Sequence, residues 1–257
     1  MMELLGDEET NTKLSKNEAR TWGLSLAPAD SSGYNVCPWS TLGCRKACVA
    51  YAGMSQVWAS IHEARVRKTK WFFEDRQAFL ARLDREIGNK NKWCAKRGMM
   101  GYMRLNMYSD LGWEHMIDLN RSNVRFYDYT KSMKRAMDSL CDSCYRLIYS
   151  YNETSNPAEV RQLLEMGGTV AMVRADIKYV NGKNKGAIPA TIMIDGKEFP
   201  TFDADEDDNR YLDPKGAVGI LRLKGNREMR RHAIVTAFAQ GTPHPSNLTA
   251  LTVSIRK

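Results

Sequence analysis

No stretch of the sequence approaches the roughly 18 to 20 consecutive apolar residues that a membrane span requires, so no membrane partner is expected. The first twenty residues, MMELLGDEETNTKLSKNEAR, are polar and lack the apolar core of a secretion signal, which points to a cytoplasmic protein. Neither a GxxxxGK phosphate loop, nor a dinucleotide glycine fingerprint, nor a GxSxG elbow occurs, and nucleotide motors and serine hydrolases lose support accordingly. Histidine is scarce. His62, His115, His232 and His244 are scattered, and they form neither a paired metal motif nor the base of an evident nucleophile. Internal repeats, heptads and low-complexity tracts are missing as well. With 43% hydrophobic and 26% charged residues, disorder is excluded and a globular chain is implied.

What is present is a basic balance, +8 at neutral pH, which is compatible with a nucleic-acid or phosphate-bearing partner. Arg65, Arg67, Lys68 and Lys70 form a run beside Trp71 and Phe72. Such a run serves either as a solvated helix face or as a surface that neutralises phosphates while the aromatic rings stack on bases. An acidic stretch at 202–209 holds Asp203, Asp205, Glu206, Asp207 and Asp208. It lacks the glycine and spacing of a calcium loop, and a solvated loop is the expectation.

The 257 residues read as a single domain, with 1–20 as a surface arm and 241–257 as a tail or edge strand. Apolar runs interrupted by turn residues predict strands over 23–29, 102–108, 124–129, 146–151, 169–173, 190–194 and 217–223. Helical spacing predicts helices from a cap near Ser55 to Lys70, over 75–87, 113–119 and 157–166. Strands alternating with helices imply right-handed β/α units. The expected fold is therefore α/β: an incomplete (β/α) barrel with a mainly parallel sheet, a cysteine loop after the first strand, and an irregular C-terminal part.

That loop carries the sharpest motif. Cys37, Cys44 and Cys48 place three thiols within twelve residues, and the spacing of the last two fits one helical turn. Without a secretion signal, clustered cysteines point to metal rather than disulfides. Thiolates hold zinc or iron–sulfur clusters, and three ligands leave one position open, which favours a [4Fe–4S] cluster over a closed zinc site. Cys94, Cys141 and Cys144 are scattered and read as ordinary thiols. Gly43 and Gly53 give the backbone room near a bulky group. In α/β folds the strand ends supply the site. Asn106, Ser109, Thr130 and Ser150 become candidates for holding a small-molecule cofactor, and Asp110, Lys131 and Glu153 for catalysis, with Tyr129 beside them.

The segments at 11–16, 26–40 (LeuAlaProAlaAspSerSerGlyTyrAsnValCysProTrpSer), 71–75, 79–85, 104–110, 126–131 and 210–216 together resemble the gene product 88 family of phages and related mobile elements. The resemblance runs in order over residues 11–225. It implies that Cys37, Cys44 and Cys48 are the family's cysteine pattern, and that the cytoplasm is a phage host's. A more distant similarity is to radical S-adenosylmethionine enzymes, whose three cysteines hold a [4Fe–4S] cluster after the first strand of a partial barrel. Those enzymes space their cysteines by three residues and then two, whereas this chain has six and then three. The similarity implies a redox enzyme whose open iron binds S-adenosylmethionine. The competing readings are a nucleic-acid-binding replication or regulatory protein with a structural or redox-sensing cluster, and a zinc-stapled interaction module.

Overall fold

The computed structural model describes residues 3–6, 20–51, 59–142, 144–177, 186–244 and 247. Most of the expected arm, Gly53, the cap at Ser55 and the closing LeuThrValSerIle run lie outside the described residues. In chain order the elements begin with β1 (Leu5–Gly6), β2 (Thr21–Leu24), α1 (Leu42–Lys46), α2 (Ala59–Glu74), α3 (Arg76–Ala95), β3 (Gly101–Arg104) and β4 (Val124–Thr130). They continue with α4 (Met133–Asp138), β5 (Tyr145–Ser150), α5 (Pro157–Glu165), β6 (Val170–Arg174), β7 (Thr191–Ile194), β8 (Lys197–Asp203), β9 (Val218–Arg222) and α6 (Arg227–Val235). The chain divides into two interleaved compact units, one of residues 1–39, 58–148 and 206–213, the other of 40–57, 149–205 and 214–257.

In the first unit the strand order is β1-β2-β3-β4-β5. β1 is antiparallel to β2, while β2, β3 and β4 run parallel, with Thr21 opposite Tyr102 and Gly101 opposite Val124. The parallel pairs need long crossovers, and α2 and α3 supply the one between β2 and β3. Asp75 caps α3 by accepting the Ala78 N–H at 3.1 Å. Phe72, Phe79, Leu83 and Ile87 recur at helical spacing and bury against Trp22, Met103, Trp113 and Phe126, forming the core. Buried Glu86 fixes β1 by accepting the Leu4 and Leu5 N–H groups at 3.1 and 2.9 Å.

In the second unit the end of β5 is followed by β6, β9, β8 and β7. All neighbours are parallel except β7 and β8, which form a hairpin. Its two-residue turn is Asp195-Gly196, both at positive φ (45° and 74°), the geometry that the right-handed twist of a tight hairpin demands. α5 starts at Pro157 behind an Asn156 cap and buries Val160, Leu163 and Leu164. α6 packs on α1.

The α/β class and the mainly parallel strand order agree with the sequence reading, and neither run of strands closes on itself. Four differences stand out. The C-terminal part, expected to be irregular, contains the β7–β8 hairpin and α6. The expected helix over 113–119 shrinks to a 3₁₀ turn at Trp113–His115. Cys44 lies on α1, but that helix stops at Lys46 with Ala47 as its cap, so Cys48 falls outside it and the two do not share a helical turn. A five-residue helix has too few internal bonds to persist beyond its anchors. The acidic stretch is not a solvated loop either. In the second unit Asp203 and Asp205 pair with Arg222 at 2.7 and 3.2 Å, and Asp205 also pairs with Lys224. In the first, Asp208 pairs with buried Arg104 at 2.8 Å. The arginines are buried on strands, and burying a guanidinium demands a carboxylate partner.

Candidate functional site

In the first unit, the loop leaving β2 turns at Pro28, where Ser31 N–H meets Pro28 O at 3.1 Å. Val36 N–H returns to Ala29 O, and Asp110 N–H to Val36 O, both at 2.9 Å. These bonds hold Cys37 against the loop after β3. Its sulfur accepts the Ala29 N–H at 3.4 Å and its thiol faces Tyr108 O at 3.5 Å. The thiol is half-buried and outside any disulfide.

The strand-end residues are brought together, chiefly by bonding one another. Asn106 Oδ1 accepts from Ser109 Oγ (2.7 Å), Leu111 N (2.9 Å) and Trp113 Nε1 (3.1 Å), while its Nδ2 donates to Leu111 O (2.9 Å). Beneath it Asp128 accepts the Leu105 and Asn106 N–H groups and the Tyr145 hydroxyl, each at 3.0 Å. Burial pushes the Asp128 carboxyl up to about 7, against the opposing pull of Arg104 and those hydrogen bonds. Asp110 accepts from Arg135 at 2.7 Å and from the Lys131 backbone N–H at 2.9 Å. Burial raises its pKa as well.

Arg135, on α4, is the hub that sequence reasoning missed. It forks onto Glu114 at 2.6 and 2.8 Å, donates to Thr130 Oγ1 at 3.2 Å and to Leu111 O at 3.0 Å, and carries the Trp39 ring 4.9 Å from its guanidinium carbon. Asn106, Ser109, Asp110 and Thr130 thus belong to one internal polar frame with Arg135, which Val36 joins through the Asp110 N–H and Trp39 through its ring on Arg135. The only legible signal was the Ser132 cap, which accepts the Arg135 N–H and starts α4.

In the second unit Glu153 holds the other two cysteines' segment. Its carboxylate accepts Gly43 N–H at 2.7 Å and the Thr41 hydroxyl at 2.9 Å, and Thr41 Oγ1 in turn accepts the Cys44 N–H at 3.2 Å. Gly43 is seated so closely that a Cβ would lie 2.6 Å from Thr236 Oγ1, 2.7 Å from Phe238 Cβ and 2.8 Å from Glu153 Oε1. Cys48 follows, just before a 3₁₀ turn at Val49–Tyr51. Both thiols are half-buried. Ser150 ends β5, and its carbonyl accepts from Asn152 Nδ2 at 3.1 Å.

Of the remaining cysteines, Cys94 lies in the first unit's core, where burial raises its pKa, Cys141 is exposed and Cys144 is half-buried. The basic run divides. Arg65 is buried over the Tyr108 ring at 4.2 Å and Lys68 donates to Leu4 O at 2.8 Å, whereas Arg67 and Lys70 face solvent. Among the described residues no three His, Cys, Asp or Glu side chains are gathered to hold a metal ion. No helix of the described residues is long and apolar enough to cross a membrane. Neither a curated protein nor a solved structure matches the chain. Residues 3–237 match the family described as gene product 88, and the chain belongs to that family.

Proposed function

We propose that this is a phage-type iron–sulfur protein in which Cys37, Cys44 and Cys48 hold a [4Fe–4S] cluster, one iron being left for a small cofactor of the S-adenosylmethionine type. The observation that carries the reading is the state of the three thiols: all are half-buried and outside disulfides, and each segment bearing them is anchored by its own polar frame. Such a donor set suits a thiolate-held cluster in its chemistry. Leu42, Val49 and Tyr51 stand exposed on the same segment as Cys44 and Cys48, and a cluster bound there would have apolar side chains to draw over it. When bound, the cluster would supply an electron and an open coordination site. The chain's own residues would hold the segments that bear the thiols. Asp110 and Arg135 hold the Cys37 limb through Val36 and Trp39, and Glu153 holds the Cys44 limb.

The test is anaerobic purification followed by iron and sulfide analysis. A brown protein with about four irons per chain is expected, lost in Cys37→Ala, Cys44→Ala and Cys48→Ala but kept in Cys94→Ala. Cleavage of S-adenosylmethionine under reduction would then support the enzyme. A colourless chain with stoichiometric zinc would sink the cluster and leave the zinc-stapled module.

A further inference from the structure

The first unit has a second, unrelated surface. Side chains alternate across a strand, so while Met103, Val124 and Phe126 enter the core, Tyr102, Arg104, Arg125, Tyr127 and Tyr129 occupy the opposite face of β3 and β4. Arg146 joins them from β5. The Arg104 guanidinium carbon lies 5.7 and 5.2 Å from the Tyr127 and Tyr129 ring centres. Over this face lies the segment 206–213, which belongs to the first unit although its neighbours in sequence belong to the second.

That cover is held by polar contacts. Asp208 pairs with Arg104 at 2.8 Å, and Arg146 donates to Tyr211 O and Asp213 O at 2.8 and 2.9 Å. The Tyr211 ring sits 5.8 Å from that of Tyr102, and Leu212, the segment's one aliphatic residue, is 67% exposed. Apolar burial therefore contributes little. The polar fit is also incomplete: Arg104 Nε, Asn209 Nδ2 and Asp213 Oδ2 are buried with no hydrogen-bond partner among the described residues. A buried ion pair roughly breaks even against desolvation, and each unmade bond costs stability. A cover of this kind yields to a competitor that supplies the same charge.

We propose that this arginine–tyrosine face is a seat for single-stranded nucleic acid, and that residues 206–213 cover it as an acidic stand-in. Asp208 occupies at Arg104 the place of a phosphate, and Tyr211 occupies at Tyr102 the place of a base. Arginines along a sheet neutralise a backbone while tyrosines stack on base faces, which only an unpaired strand offers. The reading is independent of any cluster.

The experiment uses the full chain and a fluorescein-labelled oligothymidine, followed by anisotropy at low and high salt. Asp208→Ala should bind about tenfold more tightly than the wild type, a gain set by removing one competing carboxylate. Adding Arg104→Gln or Arg125→Gln should abolish the gain, and binding should weaken with salt. Asp208→Asn, which keeps one acceptor for Arg104, serves as a second variant if the alanine chain misfolds. In the wild type, saturating oligonucleotide should speed amide exchange over 206–213. Unchanged affinity in the Asp208 variants, unaltered exchange over 206–213, or equal binding of a duplex would each overturn the proposal.

Discussion

Replacing Asn106 with alanine should unfold the chain at markedly lower urea. The side chain is 3% exposed, and its oxygen gathers three donors. The Ser109 hydroxyl can rotate toward another acceptor, but the Leu111 N–H and Trp113 Nε1–H are fixed by the backbone and the ring. Stranding two buried donors costs about 1–3 kcal/mol each, and the lost bond to Leu111 O adds about 1 kcal/mol more, so a total of about 3–7 kcal/mol is expected. That is a large share of the roughly 5–15 kcal/mol of a typical domain. Urea denaturation followed by tryptophan fluorescence measures it, with the midpoint falling and the slope unchanged. A loss below about 1 kcal/mol would refute the view that Asn106 braces the frame, and would return it to the role of a ligand-facing group.

Gly43→Ala should destabilise the second unit by about 1–3 kcal/mol, since its Cβ would overlap Thr236, Phe238 and Glu153; limited proteolysis and thermal melting would detect this. The Asp213 carboxyl, pushed by burial from 3.8 up to about 7, makes stability depend on pH. The folded chain binds a proton there that the unfolded chain has released, so this contribution is present below about pH 4 and is lost as pH rises through about 7. Urea midpoints measured from pH 5 to 8 should fall with pH, and Asp213→Asn should flatten part of that slope. Cys94 should resist alkylation in the native chain while exposed Cys141 reacts at once, which mass spectrometry of labelled peptides would read.

The sequence made the parallel core legible because β4, β5, β6 and β9 are compact apolar runs between turn residues. β8 escaped because Phe199 is its one buried residue, it carries Pro200, and it reads as polar. Its Asp195-Gly196 turn was the available clue. α4 and α6 are short and rich in arginine and lysine, so their apolar stripes are too thin to register. At the site, residue types and strand ends were enough to collect Asn106, Ser109, Asp110 and Thr130. They could not tell whether these groups face a ligand or each other. The bonds that Asp110 and Thr130 make depend on Arg135, 25 residues from Asp110 in the chain. The acidic stretch failed for the same reason on a larger scale, since the partner of Asp208 lies 104 positions away.

The interleaving of the two units has a consequence for how the chain is made. A ribosome that has released β3, β4 and β5 has produced Arg104 without its carboxylate, and must translate most of the second unit before Asp208 arrives. Domains that fold during synthesis usually do so from the N-terminus onward, but here the first unit cannot be finished in that order. A nascent chain therefore carries an open, positively charged sheet face for as long as that stretch takes to emerge. Any attempt to isolate the N-terminal half by truncation inherits the same defect, and a stable fragment will need residues 206–213 restored to it, by fusion or as a separate peptide.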